Sequence, residues 1–161
     1  MIKYKRGDLL ANVKDPNVFI AHGCNCRGQM GSGFALQVKL MYPKAYERYL
    51  DAYEKERLFL GSIMFVRQDK DSPCIVNMQT QDGYGRRGIF VDYDAVRSCF
   101  KEFSIMNINK QDLHIPKIGA GLAGGNWKVI SGIIEEECKG FDVYVWELTF
   151  QVSDFGSTNE I

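Results

Sequence analysis

The sequence has no excess of either charge: 20 Lys and Arg stand against 20 Asp and Glu over 161 residues, a formal net charge of zero. A balanced chain lacks the long-range positive field behind non-specific nucleic-acid binding, which argues against a DNA-coating role. No apolar run is long enough to span a bilayer, so no membrane partner is expected. Nor does a leader-like hydrophobic stretch follow Met1, because Gly7 and Asp8 come directly after Arg6. The five cysteines are an odd number without a leader and are expected to be reduced thiols of a cytoplasmic protein. Cys99 and Cys138 fall on apolar helix faces and belong in the core. Internal repeats, linkers and low-complexity blocks are also missing.

The rest is an ordinary globular composition, 45% hydrophobic and 25% charged. The length fits one domain, read as residues 1–150 with 151–161 as a C-terminal tail. A domain near this size buries roughly 70% of the surface of its unfolded chain, enough for a core without disulfides or metals.

Short apolar runs alternate with helical periodicity. Residues 18–22 form a β-like run that ends in a glycine- and cysteine-rich loop. From Phe34 the period is helical, and Pro43 separates that helix from a second, where Tyr46, Tyr49, Leu50 and Tyr53 share a face. Residues 61–66 and 74–78 read as strands joined by a turn at 69–73. After a loop at 82–88 comes a helix with Val96, Cys99, Phe100 and Phe103 on one face. A strand at 113–116 follows, then a helix from about Trp127 with Ile130, Ile133, Ile134 and Cys138 inward, then a strand at 142–148. The alternation predicts an α/β fold, a three-layer α/β/α sandwich with ligands at the carboxyl ends of the strands.

Two loops in equivalent strand-to-helix positions carry the chemistry. One spans 24–33 and includes Gly28, Gly31, Ser32 and Gly33. The other spans 118–125, Ile118-Gly119-Ala120-Gly121-Leu122-Ala123-Gly124-Gly125. Glycines there let backbone N–H groups turn inward without an obstructing Cβ, and a following helix start adds unpaired donors. One such loop is most often a tight turn; two suit a diphosphate gripped from both sides. The second also matches the dinucleotide fingerprint G-x-G-x-x-G, and Glu147 ends the next strand where a ribose-binding acid would fall. The chain stops too soon to complete a βαβαβ unit, so a nicotinamide dehydrogenase is the weaker alternative.

Single residues add to this. Asp8 follows the first strand, placed either to accept from an exocyclic amine or to cap a helix. His22, beside the first loop, titrates near neutrality and is a candidate general acid or base. With Cys24, Asn25 and Cys26 it lacks the paired spacing of a structural zinc site, and no metal or other cofactor is expected. Gln81 and Tyr84 lie in a polar loop at the same sheet end and are candidate pocket walls, as is Trp127 at the start of the last helix. His114, inside a strand, is read as structural.

Taken together, Lys5-Arg6-Gly7-Asp8-Leu9-Leu10, Ile20-Ala21-His22-Gly23-Cys24-Asn25-Cys26, Met30-Gly31-Ser32-Gly33-Phe34-Ala35 and the run 116–127 resemble the macrodomain family. The likeness is to the branch holding ADP-ribose 1″-phosphate phosphatases and the terminal ADP-ribose glycohydrolase, and it runs from Met1 to about Leu148. The resemblance implies a mixed central sheet, Asp8 reading the adenine amino group with Leu9 beside it, and Asn25 near the distal ribose. It further implies a first phosphate loop of Gly31, Ser32, Gly33 and Phe34, a second of Ile118 to Ala123, and a catalytic His22. Two positions depart from the glycohydrolase pattern: Gln81 stands where a lysine is used, and Ala123 where an aspartate is used. The expected activity is hydrolysis of ADP-ribose 1″-phosphate, with His22 moving a proton and Asn25 orienting the sugar or water. The alternatives are a binding module without turnover and a hydrolase that removes ADP-ribose from a macromolecule.

Overall fold

Neighbouring residues of the central strands face opposite ways, and both ways are apolar. Ile20 and Ile75 pack in one buried cluster with Leu10, Val38 and Ala45, while Ala21 and Val76 pack in another with Val96, Phe100 and Ile130. A sheet apolar on both faces must be covered on both, which dictates three layers.

The computed structural model describes residues 1–84, 88–121 and 123–148; Leu122 and the expected tail at 151–161 lie outside them. The strands are β1 (Ile2–Arg6), β2 (Phe19–Cys24), β3 (Ile63–Arg67), β4 (Cys74–Gln79), β5 (Leu113–Ile115) and β6 (Val143–Glu147). The helices are α1 (Leu9–Asn12), α2 (Gly33–Met41), α3 (Pro43–Glu54), α4 (Tyr93–Met106) and α5 (Trp127–Glu137). One sheet of six strands runs β1-β6-β5-β2-β4-β3. Every pairing is parallel except β3 with β4, so the sheet is mixed. Helices α4 and α5 lie over one face, and α1, α2 and α3 over the other. The carboxyl ends of β1, β6, β5, β2 and β4 therefore share one edge, which is where the parallel topology places a ligand.

Local chemistry sets the element limits. The Asp92 carboxylate accepts from the Ala95 amide at 2.9 Å and starts α4. Pro43 opens α3 at a position that needs no N–H. The buried face of α4 holds Val96, Cys99, Phe100 and Phe103 as the period predicts, and Cys138 is buried at the end of α5. Phe103 meets Phe19 edge-on at 5.1 Å, tying α4 to the start of β2. Each such fully buried side chain contributes roughly 1.5–3 kcal/mol.

Two details differ from the sequence reading. The buried stripe of α3 is Ala45, Tyr49 and Ala52, while Tyr53 is 42% exposed, because the short side chains let the helix sit close to the sheet. Helix α1 has four residues, too short for a hydrophobic period to register, and is held by its cap at Asp8. Among the described residues no helix is long and apolar enough to cross a membrane.

Candidate functional site

A cleft of about 920 Å³ opens along the shared edge. It is bordered by Asp8 and Leu9 after β1, by Trp146 and Glu147 at the end of β6, and by Lys117 to Gly121 and Ala123 after β5. His22 and Asn25 of the β2 end, Gly31 to Ala35, and Gln81 and Tyr84 after β4 complete it. Both glycine-rich loops thus reach one cavity, since β5 and β2 are neighbours in the sheet. Leu122, expected in the second loop, lies outside the described residues.

The start of α2 is built differently from those of α1, α4 and α5. Asp8, Asp92 and Asn126 cap α1, α4 and α5 with side-chain oxygens, whereas Ser32 makes no capping bond to α2. The first amides of a helix have no intrahelical acceptor. Those of Gly33, Phe34 and Ala35 are left at the cleft wall with the positive end of the helix dipole. Gly31 just ahead of them has an ordinary φ, and a Cβ there would meet nothing within 4 Å.

In the second loop, Gly119 and Gly121 have different reasons to be glycine. Gly119 sits at φ +78°, and a Cβ would come 2.8 Å from Val91 and 2.9 Å from Ile130. Gly121 has neither constraint and faces open space in the cleft. Gly125 donates to the Gly119 carbonyl at 2.7 Å, which closes the turn and leaves the Gly119 and Gly121 amides without protein acceptors among the described residues. One expectation is corrected here. The helix after this loop offers no open N-terminus, because the Asn126 side chain accepts from the Lys128 amide at 2.9 Å.

His22 is 1% exposed and sits at the floor of the cleft, its Nε2 2.6 Å from Asn77 Oδ1. Burial pulls its pKa down to about 4, against a partial offset from the Asn77 bond. The ring is therefore neutral near pH 7, which corrects the expectation of a group poised near neutrality. Asn25 borders the cleft, but its amide is engaged within its own loop. Oδ1 accepts from the Arg27 amide at 2.9 Å and the Tyr49 hydroxyl at 2.7 Å, while Nδ2 donates to the Gln29 carbonyl at 2.9 Å. An amide held this way shapes the loop, and its oxygen and nitrogen are already bonded within the protein where the resemblance implies a role in orienting the sugar or water.

Asp8 caps α1, one of the two roles foreseen for it, and it also stands at the cleft. Its Oδ1 accepts from Leu10 at 3.1 Å and Ala11 at 3.4 Å. Gln81 lines the cleft while donating to the Gly83 carbonyl at 2.7 Å, and the exposed Tyr84 lines it too. Trp127 does not border the cleft: it packs on the core under α5 and donates to the Tyr4 hydroxyl at 3.0 Å. Trp146 is the tryptophan at the site. Sequence reasoning missed it, although the carboxyl end of a parallel strand is the signal that would have found it. His114 stays outside the cleft, stacked on Tyr144 at 4.8 Å and accepting from Trp146 Nε1 at 2.9 Å. Lys117, at the cleft edge, is paired with Glu147 at 2.8 Å.

No family model matches the chain. An uncharacterised 17.5 kDa protein of Enterobacteria phage T4 is 32% identical over 91% of this chain and 97% of its own length. An ADP-ribose 1″-phosphate phosphatase of Meyerozyma guilliermondii is 27% identical, with 89% of this chain and 98% of that one covered. Among solved structures, a macrodomain protein of Streptomyces coelicolor superposes with a TM-score of 0.77 at 28% identity, covering 91% of this chain and 99% of its own. The sheet order, the paired glycine loops after β2 and β5, and these full-length similarities agree, and the chain belongs to the macrodomain family.

Proposed function

We propose that this protein binds ADP-ribose and hydrolyses ADP-ribose 1″-phosphate to ADP-ribose and phosphate, as a cytoplasmic enzyme. The observation that carries the reading is the uncapped start of α2 beside Gly31, sharing one cleft with Gly121. Among the described residues nothing requires glycine at either position or bonds those amides, so the space suits a group that needs close backbone approach. A diphosphate is such a group. Among the described lining residues Lys117 is the only Lys or Arg, and it is paired, which leaves the holding of phosphate to backbone donors.

In this reading the sheet order supports one orientation of the ligand. Adenine lies by Asp8 at β1, the adenosine ribose at β6, the diphosphate between the loops after β5 and β2, and the distal ribose by His22 and Asn25. Asp8 spends only Oδ1 on its cap, and Oδ2 accepts from the adenine amino group. In the reaction a water oxygen attacks phosphorus and the bond to the C1″ oxygen breaks. His22 Nδ1 takes the water proton and returns it to the departing oxygen. An imidazole with a pKa near 4 is a weak base, so the larger contributions are orientation and backbone N–H donors to the phosphoryl oxygens. The phosphatase name of the Meyerozyma relative supports this substrate.

A binding module without turnover is the second reading. The engaged Asn25 amide, and Gln81 and Ala123 in place of the lysine and aspartate of the glycohydrolase branch, favour it. Incubation with ADP-ribose 1″-phosphate decides between them. Phosphate release that falls with His22→Ala supports the enzyme; calorimetric binding of ADP-ribose with no release selects the module. Release of ADP-ribose from a modified protein or nucleic acid, with the phosphomonoester left intact, would move the activity to macromolecular substrates.

A further inference from the structure

We infer that Lys117 and Glu147 read the adenosine ribose and select a free 2′-hydroxyl over a 2′-phosphate; this rests on the ADP-ribose reading above. The end of β6 lies between the end of β1, which carries Asp8, and the end of β5, which opens the second glycine loop. A nucleotide with adenine at Asp8 and its diphosphate at Gly121 must therefore pass its first ribose over Glu147. The Glu147 carbonyl accepts from the Gly7 amide at 2.7 Å, which fixes this strand end against the adenine-side loop.

The side chains fit the task. Lys117 Nζ and Glu147 Oε1 meet at 2.8 Å, each side chain is 41% exposed, and both residues border the cleft. An ion pair this open adds little to folding stability, so stability alone does not account for its place here. Glu147 keeps Oε2 as an acceptor for a ribose hydroxyl, and the ammonium keeps donors beyond the one used. A carboxylate at the end of a parallel strand serves the ribose 2′-hydroxyl in dinucleotide folds by the same chemistry.

Charge sets the selectivity. Asp8, Glu147 and Lys117 together leave this end of the cleft with one net negative charge. A 2′-phosphate brings about −1.5 to −2 more and would face the Glu147 carboxylate, while Lys117 is already neutralised by that carboxylate. Removing the Glu147 charge would release the ammonium and turn repulsion into attraction.

The test is calorimetry with ADP-ribose and ADP-ribose 2′-phosphate on the wild type, Glu147→Gln and the double variant Glu147→Gln/Lys117→Met, with thermal melts to confirm folding. The wild type is expected to prefer ADP-ribose by about tenfold or more, a difference of about 1.4 kcal/mol. Glu147→Gln should lose that preference by binding the 2′-phosphate more tightly, and the double variant should lose the gain. Equal binding of the two nucleotides by the wild type overturns the inference, as does a preference that Glu147→Gln leaves unchanged. If the wild type binds ADP-ribose but shows either result, only the ribose assignment fails. If it binds neither nucleotide, the ADP-ribose reading itself falls and takes this inference with it.

Discussion

His22 donates its Nε2 proton to Asn77 Oδ1 across 2.6 Å, and this one bond fixes the state of the imidazole. Asn77 Nδ2 donates to the Ala45 carbonyl at 3.0 Å, so Oδ1 is the acceptor and His22 carries its proton on Nε2. Nδ1 is then the acceptor nitrogen. The chain Ala45–Asn77–His22 locks the tautomer from the α3 side, through two residues that do not border the cleft.

A buried neutral histidine makes stability fall in acid. The folded pKa is about 4 against an ordinary 6.5, so between these values the unfolded chain binds a proton that the folded chain does not. Stability is complete above about pH 7 and is lost as pH falls through this window, by roughly 3 kcal/mol in all. Urea unfolding at pH 7 and pH 4.5 should show the loss in the wild type and a much smaller one in His22→Gln. Equal losses in both would place the acid sensitivity elsewhere.

Gly119 and Gly121 are two positions apart and should respond oppositely to a side chain. Gly119→Ala forces a Cβ against Val91 and Ile130 at φ +78° and should cost about 2 kcal/mol of stability. Gly121→Val enters open space and should leave the melting temperature nearly unchanged, while ADP-ribose affinity falls about tenfold or more because the side chain fills the diphosphate position. Thermal melts and calorimetry on the two variants separate the effects. Unchanged affinity in Gly121→Val would remove the second loop from the ligand.

Much of this was legible in the sequence, and unevenly. Helix α4 has 14 residues and a full apolar period, so Val96, Cys99, Phe100 and Phe103 announce their burial. Glycine loops after strands announce the cleft. What the sequence cannot carry is the order of strands in space. Glu147 and Trp146 enter the cleft only because β6 inserts between β1 and β5, and its pairing with β1 joins opposite ends of the chain. For the same reason Trp127 read as a pocket wall: it follows a phosphate-type loop in sequence, but the cap at Asn126 turns it under α5 and away. The His22 tautomer likewise depends on Asn77, brought opposite it by β2–β4 register.

Asn25 should matter through its loop rather than through chemistry. Tyr49 does not border the cleft, yet its hydroxyl donates to both the carbonyl and Oδ1 of Asn25 at 2.7 Å. Tyr49→Phe removes these bonds and leaves Asn25 in place. If Asn25 is a positioning residue, Tyr49→Phe should lower ADP-ribose affinity several-fold and cost about 1–2 kcal/mol of stability. Asn25→Ala should shift both in the same direction and further. A Tyr49→Phe variant with wild-type affinity, beside an Asn25→Ala variant that has lost it, would mean that Asn25 touches the ligand in its own right.

Asp8 caps α1 and is proposed to bind adenine as well, and two substitutions separate these roles. Asparagine caps a helix about as well as aspartate, because its amide oxygen accepts from the same amides. Asp8→Asn should therefore keep the bonds to Leu10 and Ala11 and leave the melting temperature unchanged. It removes the charge that strengthens the bond from the adenine amino group, a difference of about 1–2 kcal/mol, or roughly tenfold in affinity. Asp8→Ala loses the cap as well and should cost about 1 kcal/mol of stability. The base supplies the control. Inosine diphosphate ribose has a carbonyl in place of the amino group, so the wild type should bind it more weakly than ADP-ribose and Asp8→Asn should narrow the gap, its amide being able to donate to that carbonyl. Calorimetry of both nucleotides against both proteins reads this directly; a gap that Asp8→Asn leaves untouched would restrict Asp8 to the cap of α1.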